Sequence, residues 1–525
     1  MIIDQMALLP AYVAAAFAVI VLLTDLFAGP RAVVVATAGG AVLTAVAAVL
    51  VGAGPDRRSF CAGDACSYLA TDRSALVAVL FALLALAVLA LSAPMLHAGA
   101  VPAGEYCFLL ACSMTGGVVL GAAGDLITLI VALETLTLPL YLLVGLRRVA
   151  SPRAVFTGVG APRYPEPPPE DGDVRLHAEQ DVAAEQVRME RTGAESAVTF
   201  FVVSVVATSV TLLGAALLYA ATGALHLTAL AGVLDQGGAA GNLAPLIGAG
   251  CALLVGGLAF KVAAVPFHAW APATYDGAPL PVAAYLSTAS KLGGVVALLA
   301  VVHDVLPAGE TSGVLAVLAV LTMTVGNVVA LRQTRTVRLL AWSSVAQAGY
   351  ILAPLGASAF TSSPRDPLVA ATLAYAAFFV LLELAAFAAV VALRPVAADG
   401  GELADYRGVA RRAPWVGGML AFALIGLAGL PPALAGLFAK VTVVRALVDG
   451  GASWLALIVA LNAVIGLAYY VRVVALLYGP PTRDGSAGTG WTHVPWPVGT
   501  VLVAATVLAV VLGFAPEPLL RLTAL

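Results

Sequence analysis

Apolar residues run almost unbroken along this chain, interrupted at near-regular intervals by short polar segments, a pattern that predicts a stack of membrane-crossing helices. Crossing the hydrocarbon core takes about 20 predominantly apolar residues. Runs of that order lie at about 7–28, 32–53, 75–93, 106–122, 125–146, 196–221, 243–267, 279–302, 312–331, 337–357, 368–393, 413–448, 453–478 and 496–518, fourteen in all. The expected fold class is an all-α polytopic membrane protein. One long polar stretch, about 148–195, separates the fifth and sixth runs, with Tyr164-Pro165-Glu166-Pro167-Pro168-Pro169 followed by mixed arginine and glutamate. It reads as a mobile or partly helical cytoplasmic connection, with docking of a neighbouring subunit as the alternative.

Composition agrees: 61% of residues are hydrophobic and 10% charged, with a mean hydropathy of +1.01, far outside the soluble range. The first run has no basic leader, carries Asp4 and Asp25 at its edges and precedes thirteen more, so it is expected to be retained rather than cleaved. If both termini lie outside the cytoplasm, the inner loops hold seventeen arginines and the outer loops six, as the positive-inside rule requires. Cys107, Cys112 and Cys251 fall within spans, whereas Cys61 and Cys66 share an outer loop. There, oxidising conditions permit a disulfide, the alternative being two free thiols. No Cys/His cluster has metal-ligand spacing, no glycine-rich phosphate loop follows a strand, and no basic aromatic groove suggests nucleic acid.

Charge within the spans carries the chemistry. The chain has three lysines, Lys261, Lys291 and Lys440, all inside apolar runs, while arginine supplies every other cation apart from histidine. Ionisable groups at membrane depth are costly and normally face a partner or a water-filled path. Glu134 stands in the middle of the fifth span. In the seventh, Pro266 removes the hydrogen bond to the carbonyl of residue 262, so the helix is expected to kink or unwind from Lys261. The twelfth repeats the device, with Gly426-Leu427-Ala428-Gly429-Leu430-Pro431-Pro432 ahead of Lys440. Paired interrupted helices in corresponding halves point to a transport site, and with buried lysines they suggest proton carriage. Blander readings stand beside this. Snorkelling suits Lys261 and Lys440, and ion pairs can merely hold helices together. His268 reads as a relay or an interfacial histidine, and Glu383 as a proton site or a neutral buried acid. Asp25 and Asp125, near span ends, are assigned to helix termini.

The specific motifs are Ala132-Leu133-Glu134-Thr135-Leu136, Phe260-Lys261 through Pro266-Phe267-His268-Ala269-Trp270-Ala271-Pro272, Tyr275-Asp276-Gly277-Ala278-Pro279, Ala289-Ser290-Lys291 and Ser343-Ser344-Val345-Ala346-Gln347-Ala348-Gly349-Tyr350. In these the chain resembles the antiporter-like membrane subunits of proton-pumping NADH:quinone oxidoreductase, respiratory complex I, over about residues 5–518. The resemblance implies three N-terminal helices (1–104), a first five-helix repeat (105–304), a second, inverted repeat (305–480) and a last helix (481–525). It further implies that Glu134 modulates Lys261, that Lys291 is the central relay, and that Lys440 is the exit-side site. Two positions depart from the family pattern: Thr199 and Gln347 stand where relatives place lysine and histidine. The resemblance puts no cofactor in this chain. NADH, flavin, iron–sulfur clusters and quinone belong to partner subunits, and the partners include sister antiporter-like subunits in a bacterial plasma membrane. The alanine-, glycine- and arginine-rich composition points to a GC-rich bacterium using menaquinone. A sodium/proton antiporter subunit and a purely structural membrane subunit are the alternatives.

Overall fold

The computed structural model describes residues 3–63, 65–146, 172–235, 243–305, 308–357, 366–396, 398–480 and 494–523. The proline-rich stretch at 164–169 lies outside them. Among the described residues, twelve helices are long and apolar enough to cross a bilayer. The other two predicted spans are helical as well. The tenth, Thr336–Gly356, is made less apolar by its polar residues, and the twelfth is split into Pro414–Ala428 and Leu434–Asp449. Helices dominate because lipid offers the backbone no hydrogen-bond partners.

Two features differ from the expectation, the loop after the second span and the last apolar run, while the connection at about 148–195 is partly helical as expected. The loop between the second and third spans is a β-hairpin, Arg57–Ala62 paired antiparallel with Ala65–Ala70. Cys61 and Cys66 face each other across it and are disulfide-bonded. The sixth helix begins at Gly172 and runs 51 residues to Thr222, so much of the polar connection is helical. The last apolar run divides into Trp496–Phe514 and Glu517–Thr523, parted at Ala515-Pro516. Asp125 caps the fifth helix as assigned, its carboxylate accepting from the Thr128 N–H at 2.7 Å, which satisfies one donor of the first turn.

Enclosure is graded. The eighth span, Leu280–Val302, and the eleventh, Pro367–Leu393, are 89% and 83% buried over their apolar windows, against 22% for Leu9–Phe27. The helices bearing Lys291 and Glu383 therefore form the centre, and the first span lies at the periphery.

Candidate functional site

The seventh span ends its first helix, Ala244–Lys261, at the lysine, and a second helix of eight residues, Trp270–Gly277, follows. The groups freed by the break find partners within the protein. Val265 N–H donates to Thr322 Oγ1 at 2.9 Å, and the Trp270 indole donates to the Phe260 carbonyl at 3.1 Å. Non-helical backbone at this depth is tolerated only where it is so enclosed. Gly294 of the eighth span lets that helix lie against the break, since a Cβ there would meet Lys261 C at 3.0 Å.

Lys261 is 3% exposed. Its ammonium meets Glu134 Oε1 at 2.8 Å and donates to Thr137 Oγ1 and Ser204 Oγ at 3.1 Å each. Thr208 donates to the same carboxylate oxygen at 2.6 Å, while Tyr141 bonds Ser204 and stands 3.5 Å from Glu134 Oε2. The expected Glu134–Lys261 pair is thus formed, within a ring of hydroxyls from the fifth and sixth spans. Those hydroxyls were not singled out from sequence. Ser and Thr in apolar helices commonly bond their own helix at i−4, as Thr208 also does, so their identity alone says little.

The eighth span widens into a π-turn at Leu286–Ser290, and Lys291 follows it directly. At 1% exposure, its ammonium donates to the Ser344 carbonyl of the tenth span and lies 6.0 Å from the Phe379 ring centroid. From Ser344 the tenth span continues the polar line. Gln347 Nε2 donates to the Leu427 carbonyl and to Tyr470 OH at 3.1 Å each, and Tyr375 OH donates to Gln347 Oε1 at 2.6 Å. Leu427 O also takes Lys440 Nζ at 3.0 Å, and Ala428 O accepts from the same ammonium. These are carbonyls left free where Pro414–Ala428 ends. Glycine makes this geometry possible. Gly429 is left-handed (φ +82°), and a Cβ on Gly436 would come within 1.7 Å of Gly426 O.

The tenth span therefore meets Lys291 through the Ser344 carbonyl and the Lys440 site through Gln347, noted from sequence as a departure, which shares the Leu427 carbonyl with that lysine. Thr199 is exposed and donates to Glu195 O. His268 lies apart, its ring 5.1 Å from Trp342 and its Nδ1 buried without a hydrogen-bond partner. Glu383, left open between two readings, is fully buried.

Below both breaks, Arg335 Nε binds the two Asp276 oxygens at 3.1 and 2.8 Å while Nη2 holds Asp399 at 2.8 Å. Arg394 also bonds Asp399, and Asp405. Burial works to raise the Asp399 carboxyl, but hydrogen bonds and charge from Arg335, with Arg394, hold it below the ordinary carboxylate value. Asp276 closes the short helix after the first break, and Asp399 lies on the way into the second, so one guanidinium anchors both.

Residues 185–466 match the family model described as NADH:quinone oxidoreductase/Mrp antiporter, TM. The chain is 60% identical to NADH-quinone oxidoreductase subunit N of Salinispora tropica, over 99% of each protein. It is 40% identical to NADH-quinone oxidoreductase subunit N 2 of Streptomyces griseus, over 99% of this chain and 93% of that one. Among solved structures, a chain of respiratory complex I from Thermus thermophilus with bound aureothin superposes with a TM-score of 0.72 at 28% identity, covering 98% of this chain and 99% of that one. A chain of the Mrp complex from Dietzia gives a TM-score of 0.76 at 20% identity, covering 99% and 96%, and shares the fold. Broken seventh and twelfth helices, buried lysines and full-length similarity agree: the chain belongs to the family of NADH-quinone oxidoreductase subunit N.

Proposed function

We propose that the chain moves protons across the membrane as a subunit of an NADH:quinone oxidoreductase, driven by quinone reduction in its partners. The observation that carries this reading is the buried Lys261–Glu134 pair at 2.8 Å, set beside a helix break. In this reading Glu134 holds the Lys261 ammonium charged. When a neighbouring subunit weakens that contact, the charge loses its compensation in a low-dielectric setting and the proton moves on toward Lys291. Lys291 is the central relay and Lys440 the exit-side site. His268, outside the hydroxyl ring, serves as a relay only if the loop around it moves.

Electron transfer takes place in other subunits, which hold NADH, flavin, iron–sulfur clusters and quinone. Residues 105–304 and 305–480 act as the two repeats, flanked by 1–104 and 481–525. The partners are sister antiporter-like subunits in a bacterial plasma membrane, with both termini outside the cytoplasm, as the arginine distribution favours.

The test is NADH-driven proton uptake into inverted vesicles carrying the complex with Lys261→Ala, beside quinone reductase activity and a check of assembly. Loss of uptake in an intact complex is expected. Uptake and reductase activity that both persist would make the buried charges structural. Sodium-dependent transport without NADH would instead assign the chain to an antiporter.

A further inference from the structure

The centre of the molecule holds a titratable group to which the scheme above gives no task. Glu383 lies in the eleventh span, 0% exposed, and neither carboxyl oxygen has a hydrogen-bond partner. Buried polar groups are nearly always satisfied, and an exception calls for a reason. The surroundings supply one. Phe379, one turn earlier on the same helix, is the ring beside the Lys291 ammonium. The eleventh span packs against the eighth, at its π-turn and beyond, and against the tenth. Tyr470 bonds Ser343 and Gln347 of the tenth, and Gln347 shares the Leu427 carbonyl with Lys440.

Lys291 and Glu383 thus form an unusual couple. Among the described residues, no carboxylate lies within ion-pair distance of Lys291, whose one hydrogen-bond acceptor is a backbone carbonyl. Charged, the two attract but remain poorly solvated, since both are buried and the carboxylate has no hydrogen-bond donor. Moving one proton from ammonium to carboxylate abolishes both charges and their desolvation cost together with their attraction. Such opposed costs leave the proton free to reside on either partner.

We propose that Glu383 is a proton-carrying residue of the translocation path, taking the proton from Lys291 and passing it toward Lys440. The step breaks an N–H bond of the Lys291 ammonium and forms an O–H bond on Glu383 by way of an intervening water, which accepts the proton from the ammonium and gives one of its own to the carboxylate. The lysine becomes a neutral amine and the glutamate a neutral acid, with no change in electron count. Onward transfer returns the carboxylate, and the hydroxyls of Tyr470 and Ser343 lie on the side toward Lys440. The inference rests on the transport reading given above.

The experiment places Glu383→Gln, Glu383→Asp and Lys291→Ala in the whole complex. It measures protons taken up per NADH oxidised across a pH series, together with infrared difference spectra on adding NADH. The expected result is loss of uptake per NADH in E383Q, partial return in E383D, and a protonated-carboxyl band in the wild type that E383Q lacks. If E383Q does not assemble, Glu383→Met, which fills the same apolar space, takes its place. Normal uptake and an unchanged carboxyl band in E383Q, with uptake lost in K291A, would overturn the role of Glu383 alone. Normal uptake in both variants would overturn the transport reading as well.

Discussion

The two broken helices solve one problem in different ways. At the first break the lysine ends the leading half-helix, and its ammonium is neutralised by a carboxylate at 2.8 Å with two hydroxyls. At the second, the lysine stands on the trailing half-helix and reaches back to two carbonyls at the end of the leading one. Those carbonyls form the negative end of a helix dipole, equivalent to roughly half an elementary charge. One site is balanced by a full charge that can be drawn away, the other by fixed partial charges of the backbone. The first is suited to being switched from outside and the second to holding a proton only in passing.

Glu134→Gln should have the largest effect, because it strips the first site of its charge while keeping its shape. Breaking a buried pair costs about 3–5 kcal/mol, and Glu134, with 26% of its side chain exposed, belongs at the low end. With each ~1.4 kcal/mol worth a factor of ten in rate, NADH-driven proton uptake should fall by up to about a hundredfold. Uptake near the wild-type level in assembled E134Q complex would erase the distinction between the two sites. Gly436→Ala attacks the second. A Cβ there would lie 1.7 Å from Gly426 O, forcing the half-helices apart at a cost of about 1–3 kcal/mol. Reduced incorporation of the subunit is expected, with lower uptake per assembled complex. Normal values of both would show that the carbonyl cradle does not depend on this close approach.

The smallest effect concerns the anchor below both breaks. Because the Asp399 carboxyl is held below its ordinary value of 3.8, its contribution to stability is present above that pH and is lost as pH falls through the lower, folded value. The thermal midpoint of the purified complex should therefore drop on acidification, and Asp399→Asn should be less stable near neutrality with a shallower acid drop. A slope identical to wild type would remove Asp399 from that account.

Much of this was legible in the sequence, because a bilayer demands apolar runs of one length and proline interrupts them visibly. Pro266 and the Pro431-Pro432 pair located both breaks, and the scarcity of lysine marked three of the groups at the centre. What stayed hidden depends on neighbours. Ser204 and Thr208 look like ordinary helix hydroxyls until the seventh span brings Lys261 against the first and the fifth brings Glu134 against the second. Gln347, which cannot titrate, looked like a gap in a proton path. Its contacts come from residues 80 and 123 positions away in the chain. Glu383 was visible as a buried acid, but only the packing of the eighth span against the eleventh sets it near Lys291. The hairpin at 57–70 was missed because six-residue strands in a polar loop leave no periodic signature strong enough to stand out.

The wide turn at Leu286–Ser290 sets the bearing of everything that follows it in the eighth span. An α-helix advances about 100° per residue, and a π-turn arises where one extra residue is accommodated. Everything after that turn is rotated relative to a uniform helix, and Lys291 is the first residue to inherit the rotation. Its direction toward Ser344 is thus set by a surplus residue upstream. Were the surplus passed along the helix, the ammonium would swing to another quarter of the compass without any span having to tilt or slide.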